Sequence, residues 1–229
     1  MTRVAPSVTF VLPRLVSLLA EHTAAQGGVS HSQFARRLGD LIDLSNSVAL
    51  SETLSLLGKQ EFIAVDDHSA GGREDFLRVR AAMISAVLRS LFPGSGATRI
   101  RWPKVTDGEA PQAQAYRKFY AAHQGEMEAR VRGLQERVRD TASGLSPELL
   151  KLASLDAAVG DSLLAHSRRL FASIPALVAD RFEALESPAA LDTTFRSEVQ
   201  ALLLAEIEAR LLPVQGLIEA MDELTDRAL

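Results

Sequence analysis

Between Tyr116 and Val138 the apolar positions return every third or fourth residue. Tyr116, Tyr120, His123, Met127, Val131, Leu134 and Val138 are spaced 4, 3, 4, 4, 3 and 4. That is the seam of a long amphipathic helix packed against other helices. The spacing predicts a helix over about residues 112–142, closed by Gly144. Gly125 and Gly133 interrupt it where better helix formers are expected, which leaves its continuity open.

The same period recurs on both sides. A first helix is expected over 7–22, with Pro13 kinking or breaking it. Ser30 and Gln33 read as a capping box that opens a second helix, with Phe34, Leu38, Leu41 and Val48 on its buried side and a weak stretch at 45–47. A polar connection over Val65–Gly72 leads to a third helix. Glu74 and Asp75 occupy its first turn, where carboxylates complement the helix dipole, and Phe76, Met83, Ile84, Val87 and Leu91 form its apolar face. Ser146-Pro147-Glu148 is a strong helix start, a serine cap followed by proline at the first helical position. This fifth helix is expected to reach about Ser173 and to be kinked or divided by Pro175 before continuing to Leu185. Ser187-Pro188 then starts a new segment.

The last helix is expected over 192–224, with a kink at Pro213. Its seam is Leu204, Ile207, Leu211, Val214, Ile218 and Met221, and Leu202, Leu203, Leu212 and Leu217 add apolar surface beside it. A helix apolar over so much of its girth belongs between several helices or at an oligomer face. With no convincing strand anywhere, the chain reads as all-α: one domain over 1–229, a bundle of about six to eight long, partly kinked helices. Sub-lobes 1–92 and 112–229 would be joined by the irregular segment 93–111.

Charge adds one asymmetry. Residues 1–139 hold 18 basic and 14 acidic side chains, whereas residues 140–229 hold 7 and 15. The halves can attract each other, or the basic half can meet an acidic partner. The absence of cysteine excludes disulfides, thiolate metal sites and a cysteine nucleophile. No stretch reads as a signal peptide or a membrane span, because charges interrupt each apolar run.

Catalytic motifs do not appear. His22, His31, His68, His123 and His166 share no metal-ligand spacing, and Gly94-Ser95-Gly96 lacks the rest of a phosphate loop. Neither a metal nor a cofactor is expected. The best candidate binding segment is Arg99-Ile100-Arg101-Trp102-Pro103-Lys104. It can hold phosphate by charge and stack a base on the indole, or it can dock Ile100 and Trp102 into the core with the arginines outside; the docked reading is favoured. On the fourth helix His123, Gln124 and Arg117 make a polar spot on an otherwise apolar seam, suited to an interhelical hydrogen-bond network, and Tyr120 on the seam is counted with them as a candidate interaction residue.

The run Tyr116–Gln124, Met127–Arg130, Ser146-Pro147, Leu152–Ala157, Pro175–Leu177, Arg181–Glu183, Leu203–Glu206 and Arg210–Leu217 resembles a proteobacterial family of uncharacterised proteins of about this length. The resemblance implies no activity. It implies genes encoded beside an OmpA-like protein and a membrane protein suggestive of a proton-driven motor. The expectation is therefore a non-enzymatic helical scaffold or adaptor, cytoplasmic and peripheral to the inner membrane through a partner. Its partners would be further copies of itself or a membrane-complex subunit. The alternative is a nucleic-acid-binding module built on residues 99–104 and the basic side of helix 112–142.

Overall fold

A single extended residue, Ser146, separates two long helices of 33 and 37 residues. In the computed structural model, which describes residues 14–23, 44–57, 61–63, 71–92, 94, 98–104, 112–185 and 191–228, α4 (Ala113–Leu145) ends where α5 (Pro147–Glu183) begins. Ser146 sits at φ −156° and ψ 159°, and its Oγ accepts a hydrogen bond from the Leu149 amide at 3.1 Å, with Pro147 at the first helical position. The cap satisfies a donor that the first turn leaves exposed. The chain reverses there. Arg139 meets Asp156, Glu128 meets Arg168, and Gln124 meets Phe171. Each step back along α4 is matched by a step forward along α5, so the two form an antiparallel hairpin.

The other helices are α1 (Arg14–Thr23), α2 (Leu44–Leu57), α3 (Gly71–Leu91) and α6 (Arg196–Ala228), the last preceded by a π-helical turn at Leu191–Phe195. α3 runs antiparallel to α4, tied by Asp75–Arg137 and Ser90–His123, and antiparallel to α6, tied by Arg73–Asp222. α6 crosses back against α5 through Arg181–Glu198. The result is a four-helix bundle of α3, α4, α5 and α6, with α1 packed on α6 and α2 on α5.

The α4 seam that the spacing predicts is the buried face of the helix. Tyr116, Tyr120, His123, Met127, Val131, Leu134 and Val138 are all buried, joined by Phe119 and Ala142. On α6, Ile207, Leu211, Val214, Ile218 and Met221 are buried inside this chain and Leu204 is partly so. These residues pack helices within one molecule.

Several boundaries differ from expectation. α4 is unbroken through Gly125 and Gly133 and runs to Leu145, one residue beyond Gly144. α5 is one helix through Pro175, ending at Glu183, and α6 is one helix through Pro213. Gly71 and Gly72 belong to α3, and Met221 Cε lies 3.5 Å from where a Cβ on Gly72 would stand. Residues 45–47 are helical. The expectations at Pro13, Ser30, Gln33, Phe34, Leu38, Leu41 and Ser187-Pro188 lie outside the described residues. No helix among the described residues is long and apolar enough to cross a membrane.

Candidate functional site

The deepest polar feature is a carboxylate. Glu206 is 0% exposed, in the middle of the apolar seam of α6. Its Oε2 accepts from the Tyr120 hydroxyl at 3.0 Å and from Gln124 Nε2 at 3.0 Å. Its Oε1 accepts from Arg210 Nε at 2.8 Å and Nη2 at 2.7 Å, one helical turn on. A buried charge needs a partner of opposite sign and filled hydrogen-bonding positions, and Glu206 has both. The Arg210 guanidinium is itself capped by the Phe171 ring, with Cζ 3.8 Å from the centroid. Burial, the Glu206 charge and the bond to Glu206, in that order, push the Tyr120 hydroxyl well above its ordinary pKa.

Gln124 carries this bridge to a third helix. Its Nε2 also donates to the Phe171 carbonyl at 2.8 Å. In a regular helix that carbonyl would accept from the amide four residues on, but position 175 is proline and has no N–H. Gln124 supplies the missing donor from α4, and this is why α5 passes through a buried proline.

A second polar pair lies nearby. The Ser90 hydroxyl donates to Val87 O at 2.7 Å, so its Oγ accepts from His123 Nε2 at 2.8 Å. That places the imidazole proton on Nε2. Burial lowers the His123 pKa to about 4. Phe119 meets the ring edge to face at 4.9 Å. Of the four polar positions singled out on α4, Tyr120, His123 and Gln124 thus lie in these networks. Arg117 is exposed, away from the seam, and takes no part.

Trp102 is the centre of an aromatic mount. It is 7% exposed, its amide donates to the Ser90 carbonyl at 3.0 Å, and its ring lies 5.0 Å from Tyr116, 5.2 Å from Phe119 and 5.9 Å from Phe195. Arg196 Cζ stands 5.3 Å over the indole. Ile100 packs against the same core. Arg99, Arg101 and Lys104 are exposed, as are Arg117 and Lys118 at the start of α4. The indole is committed to the core and gives no face for a nucleobase, while the cations around it remain at the surface.

The third feature is a groove of ≈470 Å³ between α3 and α6. Phe76, Leu77, Leu211 and Leu212 form its apolar part, Arg73 and Arg80 edge it on α3, and Glu208 and Glu219 edge it on α6. Leu77 is 54% and Leu212 48% exposed. Among the described residues no group of three or more His, Asp or Glu side chains is arranged to hold a metal ion.

Helical patterning alone misses Glu206, Arg210 and Ser90. A signal for the first does exist: an acid flanked by Leu202, Leu203 and Ile207 on an apolar helix, with an arginine four residues on. Residues 1–223 match the family described as Protein of unknown function (DUF3348). No curated protein and no solved structure matches the chain.

Proposed function

We propose that this chain, which belongs to the DUF3348 family of unknown function, is a non-enzymatic helical scaffold or adaptor, oligomeric and built to hold other protein chains. The observation that carries this reading is the groove between α3 and α6. Half-exposed leucines sit on both of its walls, between charges of opposite sign. Apolar grooves with charged edges are seats for amphipathic helices. The buried polar groups support the same reading, because they are spent on fixing helices against each other. Glu206, Gln124 and Tyr120 bridge α4, α5 and α6.

In this reading the protein is cytoplasmic and bacterial, reaching an envelope or motor-like membrane complex through a partner. That part rests on the resemblance to a proteobacterial family. The test is a tagged pull-down from the native host after mild crosslinking and detergent extraction, read by mass spectrometry. Envelope or motor-like proteins at fixed stoichiometry are expected. Recovery of the bait alone would overturn the adaptor role.

One observation favours a second reading. Arg99, Arg101, Lys104, Arg117 and Lys118 are all exposed, so a phosphate-binding surface remains even with Trp102 buried. A nucleic-acid module of this kind binds by charge alone. Its affinity falls steeply with salt and drops in an Arg101→Glu variant; unchanged binding in that variant disposes of it.

A further inference from the structure

We infer that the end of the bundle built around Trp102 docks on an anionic phospholipid surface, with Arg89, Arg99, Arg101, Lys104, Arg117 and Lys118 against the lipid phosphates and the Phe92 ring at headgroup depth. The inference goes beyond the scaffold reading, because it makes the contact with lipid direct. It takes the cations of the nucleic-acid reading to a different polyanion.

Packing gathers these cations. The Trp102 amide is bonded to the Ser90 carbonyl at 3.0 Å, and the indole lies 5.0 Å from Tyr116 and 5.2 Å from Phe119. The last turn of α3, the 98–104 segment and the first turns of α4 are thereby locked together at one end of the bundle. Each anchor has cations as its chain neighbours: Arg89 beside Ser90, Arg101 beside Trp102, Arg117 and Lys118 between Tyr116 and Phe119. All six cations are exposed, and none forms an ion pair among the described residues. No acid stands between Asp75 and Asp107, or between Glu109 and Glu126; Asp107 and Glu109 themselves lie outside the described residues. The described acids of this end belong to α5 and α6. Glu198 is bonded to Arg181, and Asp180 and Glu183 are exposed. The cationic face is therefore the α3–α4 side.

Phe92 is what selects lipid. It is 43% exposed at the end of α3, three residues from Arg89 and so beside it on the helix surface. An anionic membrane attracts cations by its surface potential and takes aromatic rings at headgroup level. One signal alone gives marginal attachment, and charge together with an apolar group gives more. Single-stranded nucleic acid calls instead for a stacking platform, and the indole is already committed to the core. The mount also lowers the cost of docking, because the cations ride on anchored backbone. The whole chain carries −4, so the attraction is specific to this orientation and is screened by salt.

The test is co-sedimentation of the full chain with vesicles of equimolar phosphatidylglycerol and phosphatidylcholine, against vesicles of phosphatidylcholine alone. Circular dichroism confirms equal helix content in every variant. The wild type is expected to pellet with the anionic vesicles only and to be released by salt. Arg101→Gln and Lys118→Gln are each expected to weaken binding about fivefold, and both together about 25-fold. Lys151→Gln, an exposed change of equal charge at the far end of the α4–α5 hairpin, is expected to leave binding unchanged. Phe92→Trp reports depth: brominated lipid should quench its emission, with buried Trp102 as a constant background. No binding to anionic vesicles, an equal loss in Lys151→Gln, or an unquenched Phe92→Trp overturns the proposal. So does a DNA duplex that strips the protein from the vesicles at equal phosphate concentration, which hands the same cations to the nucleic-acid reading. The adaptor role is read by the pull-down and lipid contact by the vesicles, so either falls without the other.

Discussion

Gln124 on α4 donates a 2.8 Å hydrogen bond to the carbonyl of Phe171 on α5, the acceptor that Pro175 leaves without its helical amide. The bond compensates a defect in one helix with a side chain from its neighbour. Gln124→Leu strands this carbonyl and removes one of the two donors to Glu206 Oε2, which keeps Tyr120, and is expected to cost about 1–3 kcal/mol, the penalty for one unsatisfied buried acceptor. In a Pro175→Ala background the helix recovers its own donor to Phe171, so the same change costs measurably less. A urea-unfolding double-mutant cycle reads the difference. Strict additivity would show that the two residues do not compensate each other.

Removing Arg210 leaves a buried carboxylate without its cation. Arg210→Met is expected to destabilise the protein by about 3–5 kcal/mol, and adding Glu206→Gln is expected to recover more than half of that. Urea midpoints of the single and double variants decide it. A double variant no more stable than Arg210→Met would mean that the stranded charge is not the cause.

Both tyrosines are buried, and Tyr120 is held in its protonated form by its surroundings. Above the ordinary tyrosine value of 10.0 the unfolded chain loses the proton while the folded one keeps it, so stability falls as pH rises. An ultraviolet titration of Tyr116→Phe should show no phenolate until unfolding begins.

His123 gives the protein an acid-side sensitivity of definite sign. Its pKa lies near 4 when folded, against 6.5 for an ordinary imidazole. Above 6.5 it is neutral in both states. Between these two values only the unfolded chain takes up the proton, so stability declines by about 3 kcal/mol across that window and no further below it. His123→Gln keeps an Nε2 donor for Ser90 and removes the titration. The midpoint of His123→Gln minus that of the wild type, followed from neutral pH down to the folded pKa, should rise as pH falls, whatever its value at neutral pH; parallel curves would refute the assignment.

The Trp102 mount and its cations separate in their effects. Trp102→Ala opens a cavity among Tyr116, Phe119 and Phe195 and is expected to cost about 3–5 kcal/mol. Arg101→Glu, one residue away and exposed, should change stability by less than about 0.5 kcal/mol. Because Trp102 is the sole tryptophan, its emission should be blue-shifted and resistant to iodide in the native protein.

Helix periodicity makes the α4 and α6 seams legible in the sequence, because a buried stripe requires apolar residues at fixed intervals. The Ser146-Pro147 reversal is legible for an equally local reason, the chemistry of a cap. Prolines and glycines mislead. Pro175 and Gly125 have unfavourable helix propensity, yet packing between α4 and α5 outweighs it. What rescues Pro175 is a donor 47 positions before the carbonyl it serves, which no local window contains. Glu206 is hidden for a related reason. An acid on an amphipathic helix is ordinarily outside, and only the convergence of Tyr120, Gln124 and Arg210 makes it an interior residue. Trp102, by contrast, follows the simple expectation that a lone tryptophan is buried.

The proline in α5 also bears on the order of assembly. On its own, a peptide spanning α5 has only water to donate to the Phe171 carbonyl and should fray or bend at that turn. The stretch from Ala172 to Glu183 becomes continuous with the rest of α5 only when α4 lies alongside. Helix growth past Pro175 and hairpin closure are thus expected to be coupled at this point in the chain, with the far end of α5, carrying Phe182 and Arg181, set for α6 by the same contact.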